Sequence, residues 1–163
     1  MPKAAIVMGS VSDLDVVKPT IDILKKFDVE VEVRVISAHR TPQMAHDFAN
    51  NAIENNIEVI ICAAGKAAHL GGVIAAYTPL PVIGLPVKSS TMDGLDSLLS
   101  MVQMPSGIPV ACVAINGGLN AGLLAIQILS VKYPNLMKKM QDYKISMAEK
   151  ITSDDEKLQK EIY

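Results

Sequence analysis

The residues best suited to chemistry lie in Ser37-Ala38-His39-Arg40-Thr41-Pro42, directly after the alternating run Val31-Glu32-Val33-Arg34-Val35-Ile36. His39 is a residue type that exchanges protons near neutral pH, Arg40 beside it is a fixed cation, and Thr41-Pro42 reads as the cap and first turn of a helix. A His-Arg pair at the end of a strand can hold an anion and move a proton in one place. A second segment calls for the same position. Ala4-Ala5-Ile6-Val7-Met8 reads as a strand and runs into Gly9-Ser10-Val11-Ser12-Asp13, where Gly9 permits a tight turn. The hydroxyls of Ser10 and Ser12 then lie beside the unpaired amides of a helix start, an arrangement suited to an anion. The same pattern is also an ordinary turn with a helix cap, so alone it leaves both readings open.

These segments must be positioned by a repeating scaffold. A helical stripe of Leu14, Val17, Ile21 and Leu24 follows the first strand and precedes the strand Val31–Ile36. Met44, Ala45, Phe48, Ala49, Ala52 and Ile53 line one face of a second helix. Val59–Ala63 is continuously apolar, as expected of a central parallel strand covered on both faces. The small-residue loop Ala64–Gly72 opens into a helix ending near Tyr77, and Pro81–Leu85 reads as a fourth strand. A helix from Gly94 to about Met101, a fifth strand over Pro109–Ile115 and a helix over Asn120–Ser130 complete the series. Repeated strand–helix units imply right-handed crossovers and a parallel sheet with helices on both faces. The expected fold is a single three-layer α/β domain, flavodoxin- or Rossmann-like, over residues 1–163, with an α/β core at 1–131 and a helical tail at 134–163. In that tail Leu136, Met140, Tyr143, Met147 and Ile151 recur at helical spacing. Such a stripe needs a cover, either its own domain or another subunit.

Bulk properties narrow the classes. The 163 residues suit one domain with a proper core, and with 4% aromatics that core must be aliphatic. A formal charge of −2 and the lack of a Lys/Arg run speak against nucleic acid. No stretch approaches the ~20 apolar residues of a membrane span. Met1-Pro2-Lys3 enters a strand too soon for a signal peptide, so a cytoplasmic location is expected. Cys62 and Cys112 lie in apolar runs and read as buried, reduced thiols.

Of the three histidines, His46 falls opposite the Met44/Phe48 face and reads as a solvated surface residue. His69, at a helix opening beyond a strand, either meets a ligand or bonds nearby backbone. His39 has the best position. Neither a Gly-X-Ser-X-Gly elbow, a Walker loop, a Gly-X-Gly-X-X-Gly fingerprint nor zinc or calcium spacing is present. What remains is an anion-binding α/β domain with proton-transfer chemistry.

Taken in register, Met8–Asp13, Ser37–Pro42, Ala67-Ala68-His69-Leu70 and Asp96–Val110 closely resemble the 5-(carboxyamino)imidazole ribonucleotide mutase family of purine synthesis, from about Ala4 to about Ser130. Two positions depart from the family pattern: Lys66 stands where Gly is common, and Gly71 where Pro is common. The resemblance implies an isomerase that moves a carboxylate from the exocyclic amine to a ring carbon, giving 4-carboxy-5-aminoimidazole ribonucleotide. Carbon dioxide is then a bound intermediate, and no organic cofactor or metal is needed. It further implies His39 as the proton shuttle, with Ser10, Ser37 and Arg40 on the phosphate and Asp13 on the ribose hydroxyls. Ser12 and the stretch Gly65, Lys66, Ala67, His69 and Leu70 complete the substrate-binding set, the latter cradling imidazole and carbon dioxide. A homo-octamer with sites near subunit junctions is expected on the same ground. The sister carboxylase, which takes free carbon dioxide, tends to carry Lys after the same His and lacks Ala-Ala-His-Leu, so Arg40 and Ala67–Leu70 favour the mutase. A flavodoxin-type flavin or phosphate carrier is a more distant alternative, disfavoured by the scarcity of aromatics near strand ends.

Overall fold

The computed structural model describes residues 1–162. Five strands, β1 (Lys3–Met8), β2 (Glu30–Val35), β3 (Val59–Gly65), β4 (Val82–Val87) and β5 (Ala111–Cys112), form one sheet in the order β2-β1-β3-β4-β5, parallel throughout. Helices α1 (Leu14–Lys26), α2 (Pro42–Asn51), α3 (Leu70–Tyr77), α4 (Leu95–Val102), α5 (Gly118–Ser130) and α6 (Pro134–Ile162) connect and flank it. The order is that of the flavodoxin-like doubly wound fold.

The central strands read as unbroken apolar runs because both their faces are covered. Ala4, Ile6, Met8, Ile61, Ala63, Ile83 and Leu85 face a core built with α1, α5 and the start of α6. The alternate residues Ala5, Val7, Ile60, Cys62 and Ala64 face a second core with α2, α3 and α4. β2 is an edge strand, and its alternating charges and valines leave one side in solvent. Asp28 and Asn56, at φ 58° and 60°, take the left-handed conformation that ends the α1 and α2 segments, which short polar side chains tolerate.

Some sequence expectations shift. Met44 and Ile53 fit the helical period of α2 but lie at the edge of its stripe and are exposed. The fifth strand is two residues long, because Pro109 has no N–H to give and the chain then leaves the ladder. Past β5 the Val113 amide donates to Gly84 O (3.2 Å) and the Asn116 amide to Pro86 O (2.8 Å), so the segment follows β4 without regular pairing. Cys62 is buried, with its thiol pushed up by desolvation, whereas Cys112 is only partly covered. Leu136 and Met140 of α6 pack back on the domain, while Met147 and Ile151 run past it into solvent. Among the described residues, no helix is long and apolar enough to cross a membrane.

Candidate active site

The carboxyl ends of β1, β2, β3 and β4 open into a cavity of about 700 Å³. Every residue expected to bind substrate or shuttle protons lines it: Ser10, Ser12, Asp13, Ser37, His39, Arg40, Gly65, Lys66, Ala67, His69 and Leu70. The location follows from topology. After β1 the chain winds to α1 on one face, and after β3 to α3 on the other, so the two loops diverge and leave a crevice.

On the β1 side Ser10 is the N-cap of a single 3-10 turn, Val11–Asp13, that precedes α1. Its Oγ accepts from the Ser12 amide at 3.2 Å and from Ser12 Oγ at 2.9 Å. Asp13 is buried beside it. Desolvation pushes its carboxyl above the usual carboxylate range, opposed by a backbone hydrogen bond from Ser10.

The β2–α2 loop is pinned by its own side chains. Thr41 caps α2 by position, yet its hydroxyl is used within the loop instead: Oγ1 donates to Ser37 O and accepts from Ser37 N, both at 3.0 Å. Ser37 Oγ accepts from the Arg40 amide (3.2 Å) and from Arg40 Nε (3.3 Å), and Arg40 Nη2 donates to Gly9 O at 3.3 Å. The guanidinium is thereby held between the β1 and β2 loops, with N–H groups left to meet an anion.

Across the crevice, His39 Nε2 and His69 Nδ1 are 2.9 Å apart, their rings edge-to-face with centroids at 5.0 Å. The two residues come from opposite walls, one after β2 and one after β3. One of the two facing nitrogens donates an N–H and the other accepts it, so the protonation of one ring is tied to that of the other. The His69 ring thus bonds to His39, a partner that neither sequence reading of this histidine names. His46 lies elsewhere. It is partly covered, stacked edge-on against Tyr77 (4.8 Å) and bonded to Asp47 (2.9 Å), so it is more tethered than a solvated surface residue.

Val87, Lys88, Ser89 and Ser90 also line the cavity and escaped the sequence reading. Val87 ends β4 and Lys88–Ser90 follow it, and its neighbour β3 carries the His69 loop, so the strand-end rule applied to β4 is the signal that finds them. The Lys88 amide donates to Asn116 Oδ1 (2.8 Å), and its ammonium pairs with Asp93 at 3.0 Å. Among the described residues, no group of three or more His, Cys, Asp or Glu is placed to hold a metal ion.

Fold and site together define a flavodoxin-like α/β protein with a crevice at its switch point, lined by the Ser10 and Arg40 loops and by the facing His39 and His69 rings. The AIR carboxylase family model matches residues 3–150, and the chain belongs to that family. It is 57% identical over 147 residues to the N5-carboxyaminoimidazole ribonucleotide mutase of Pyrococcus abyssi, covering 90% of this chain and 84% of that one. The mutase of Thermotoga maritima is 52% identical over 159 residues, with 98% and 93% covered. The crystal structure of Treponema denticola PurE superposes with a TM-score of 0.89 at 31% identity, covering 97% of this chain and 99% of that one.

Proposed function

We propose that the chain is an isomerase of purine synthesis that converts 5-(carboxyamino)imidazole ribonucleotide to 4-carboxy-5-aminoimidazole ribonucleotide. The observation that carries the reading is the His39–His69 pair set across an anion-binding crevice in a chain of this family. In this reading Ser10, Ser37 and Arg40 take the phosphate, assisted by Ser12 at the same helix start. Asp13 accepts from the ribose hydroxyls. The loop Gly65–Leu70 lies against the imidazole.

Protonated His39 gives its proton to the exocyclic nitrogen as the N–carboxylate bond breaks and carbon dioxide leaves. The ring carbon, an enamine-type nucleophile, then attacks carbon dioxide in the same cavity. Neutral His39 removes the proton from that carbon, which restores aromaticity and returns the imidazolium. The proton balance closes over one turnover, so no outside acid or base is consumed. Held at short range, the carbon dioxide is recaptured before it escapes to water.

The test supplies purified protein with 5-(carboxyamino)imidazole ribonucleotide, and separately with aminoimidazole ribonucleotide plus carbon dioxide. Product from the first substrate at micromolar concentration is expected. Product from the second pair alone overturns the reading in favour of a carboxylase.

The assembly we infer is a closed homo-octamer of single-domain subunits. Leu95, Leu99 and Val102 leave an apolar face of α4 uncovered, and α6 carries Met147 and Ile151 beyond its own domain. Both support burial against further copies. Light scattering on the full chain, and on a chain ending at Pro134, checks this. An octamer that loses mass and activity together on truncation is expected, and an active full-length monomer refutes it.

A further inference from the structure

Lys66 has φ 56°, in the left-handed region that is costly for a residue with a Cβ, by roughly 1–2 kcal/mol. Nothing about turn geometry demands a lysine there, since glycine takes the same conformation without that cost. Lys66, exposed and three residues before His69, is with it among the residues that line the cavity. A strained residue at a cavity wall directs attention to what its side chain does.

The cavity's cations differ in how they are engaged. Arg40 is tied to Ser37 and to the Gly9 carbonyl. Lys88 is paired with Asp93. Lys66 forms no ion pair among the described residues. The acid in the cavity, Asp13, belongs to the β1 wall, where Ser10 holds it by a backbone bond.

Position gives the free ammonium its meaning. Arg40 follows β2 and Lys66 follows β3, and β1 lies between these two strands. Two strand spacings separate the ends of β2 and β3 by roughly 10 Å, and the Arg40 guanidinium reaches from the β2 side to Gly9 O at the end of β1. The cavity therefore has two cationic poles, with the His39–His69 pair spanning the crevice. A ligand with two anionic ends and a proton-exchanging middle fits that arrangement.

We propose that Lys66 Nζ binds the carboxylate of the imidazole nucleotide while Arg40 binds its phosphate. This rests on the function proposed above and names a substrate-binding residue that a glycine at this position lacks. Lys66 stabilises the carboxylated nucleotide and holds its carboxylate at the His69 side of the cavity. It does not exchange protons with the ring.

The test compares two ligands that differ only in the carboxylate, 4-carboxy-5-aminoimidazole ribonucleotide and 5-aminoimidazole ribonucleotide, by calorimetric titration of wild type, Lys66→Asn and Lys66→Arg. Asn tolerates the left-handed region, so the neutral variant retains the loop conformation, which its melting temperature checks. Lys66→Asn is expected to lose about tenfold affinity for the carboxylated nucleotide, as for a charge-assisted bond, and none for the other. Lys66→Arg retains the preference. Equal loss for both ligands, or no loss for the carboxylated one, overturns the proposal while the wild-type turnover assay stands. A wild-type protein that binds neither nucleotide removes the proposal together with the function it rests on.

Discussion

Substitution His39→Asn leaves an amide that still hydrogen-bonds across the crevice but exchanges no proton near neutral pH. A positioned general acid–base group contributes about 10²- to 10⁴-fold in rate. Because His39 serves as acid and then as base, turnover should fall by about 10³-fold, while fold and nucleotide affinity persist. His69→Asn removes a different thing. It takes away the partner 2.9 Å from Nε2 that holds the ring's orientation. One such hydrogen bond contributes about 1 kcal/mol, so the expected loss is about five- to tenfold. If His69 acts through His39, the double variant turns over no more slowly than His39→Asn alone, because the orientation of an absent imidazole has no value. Steady-state turnover of the three variants, with circular dichroism to confirm the fold, measures this. His39→Asn within about tenfold of wild type refutes the shuttle. Losses that multiply in the double variant refute the coupling and give His69 an independent role on the substrate.

Arg40→Lys exchanges a fork held at 3.3 Å from Ser37 Oγ and Gly9 O for a mobile point charge, so nucleotide affinity should fall by about tenfold or more. Titration with the phosphate-free nucleoside should show almost no loss, and an equal loss moves Arg40 off the phosphate. Asp13→Asn should raise the melting temperature at pH 7 while weakening nucleotide binding. Burial holds the Asp13 carboxyl above its unfolded value, so the folded state binds the proton more tightly. Stability therefore falls as pH rises from the ordinary carboxylate value through the raised one, and the variant's advantage should vanish near pH 3, which melts across pH would reveal. Gly118→Ala places a Cβ 2.2 Å from the Val16 carbonyl oxygen, a backbone atom that yields only if α1 and α5 separate. Overpacking of this kind costs about 1–3 kcal/mol, or about 2–12 °C of melting temperature for a domain of this size. An unchanged melt contradicts the close approach of these helices.

The parts of this fold legible in the sequence are those where one physical requirement acts alone. β1, β3 and β4 are buried on both faces, and their unbroken apolar runs say so. The Ser10 and Arg40 loops were legible because strand ends are where an open α/β sheet binds ligands. What stayed hidden depends on partners distant in sequence. β5 looked like a seven-residue strand from Pro109 to Ile115, but apolarity does not report whether β4 has backbone groups in register to pair with it. Met44 and Ile53 match the helical period, yet period does not locate the edge of the sheet that would cover them. Thr41 was legible as a helix cap by position, but its hydroxyl closes a loop with Ser37 instead, a choice made by the loop's path. Lys88 looks like one more charged loop residue until β4 is placed beside β3.

The crevice also separates what the fold dictates from what one residue can change. His39 and His69 are 30 residues apart and meet because β2 and β3 flank β1 and their loops face one another. Neither helix need move to form the pair, so the proposed shuttle is placed by the topology, and loss of the His39 ring should remove it without disturbing the core. Affinity is set differently. The proposed phosphate pole is anchored by two loops at once, through Gly9 after β1 and through Ser37 and Arg40 after β2, and a change in either disturbs the other. The opposite pole rests on Lys66, a single side chain on a strained backbone with no protein partner among the described residues. Substitution there alters which end of the ligand is held without touching the residues that move the proton. On the proposed roles, the hold on the carboxylate is tuned at one loop position while the shuttle stays where the sheet puts it.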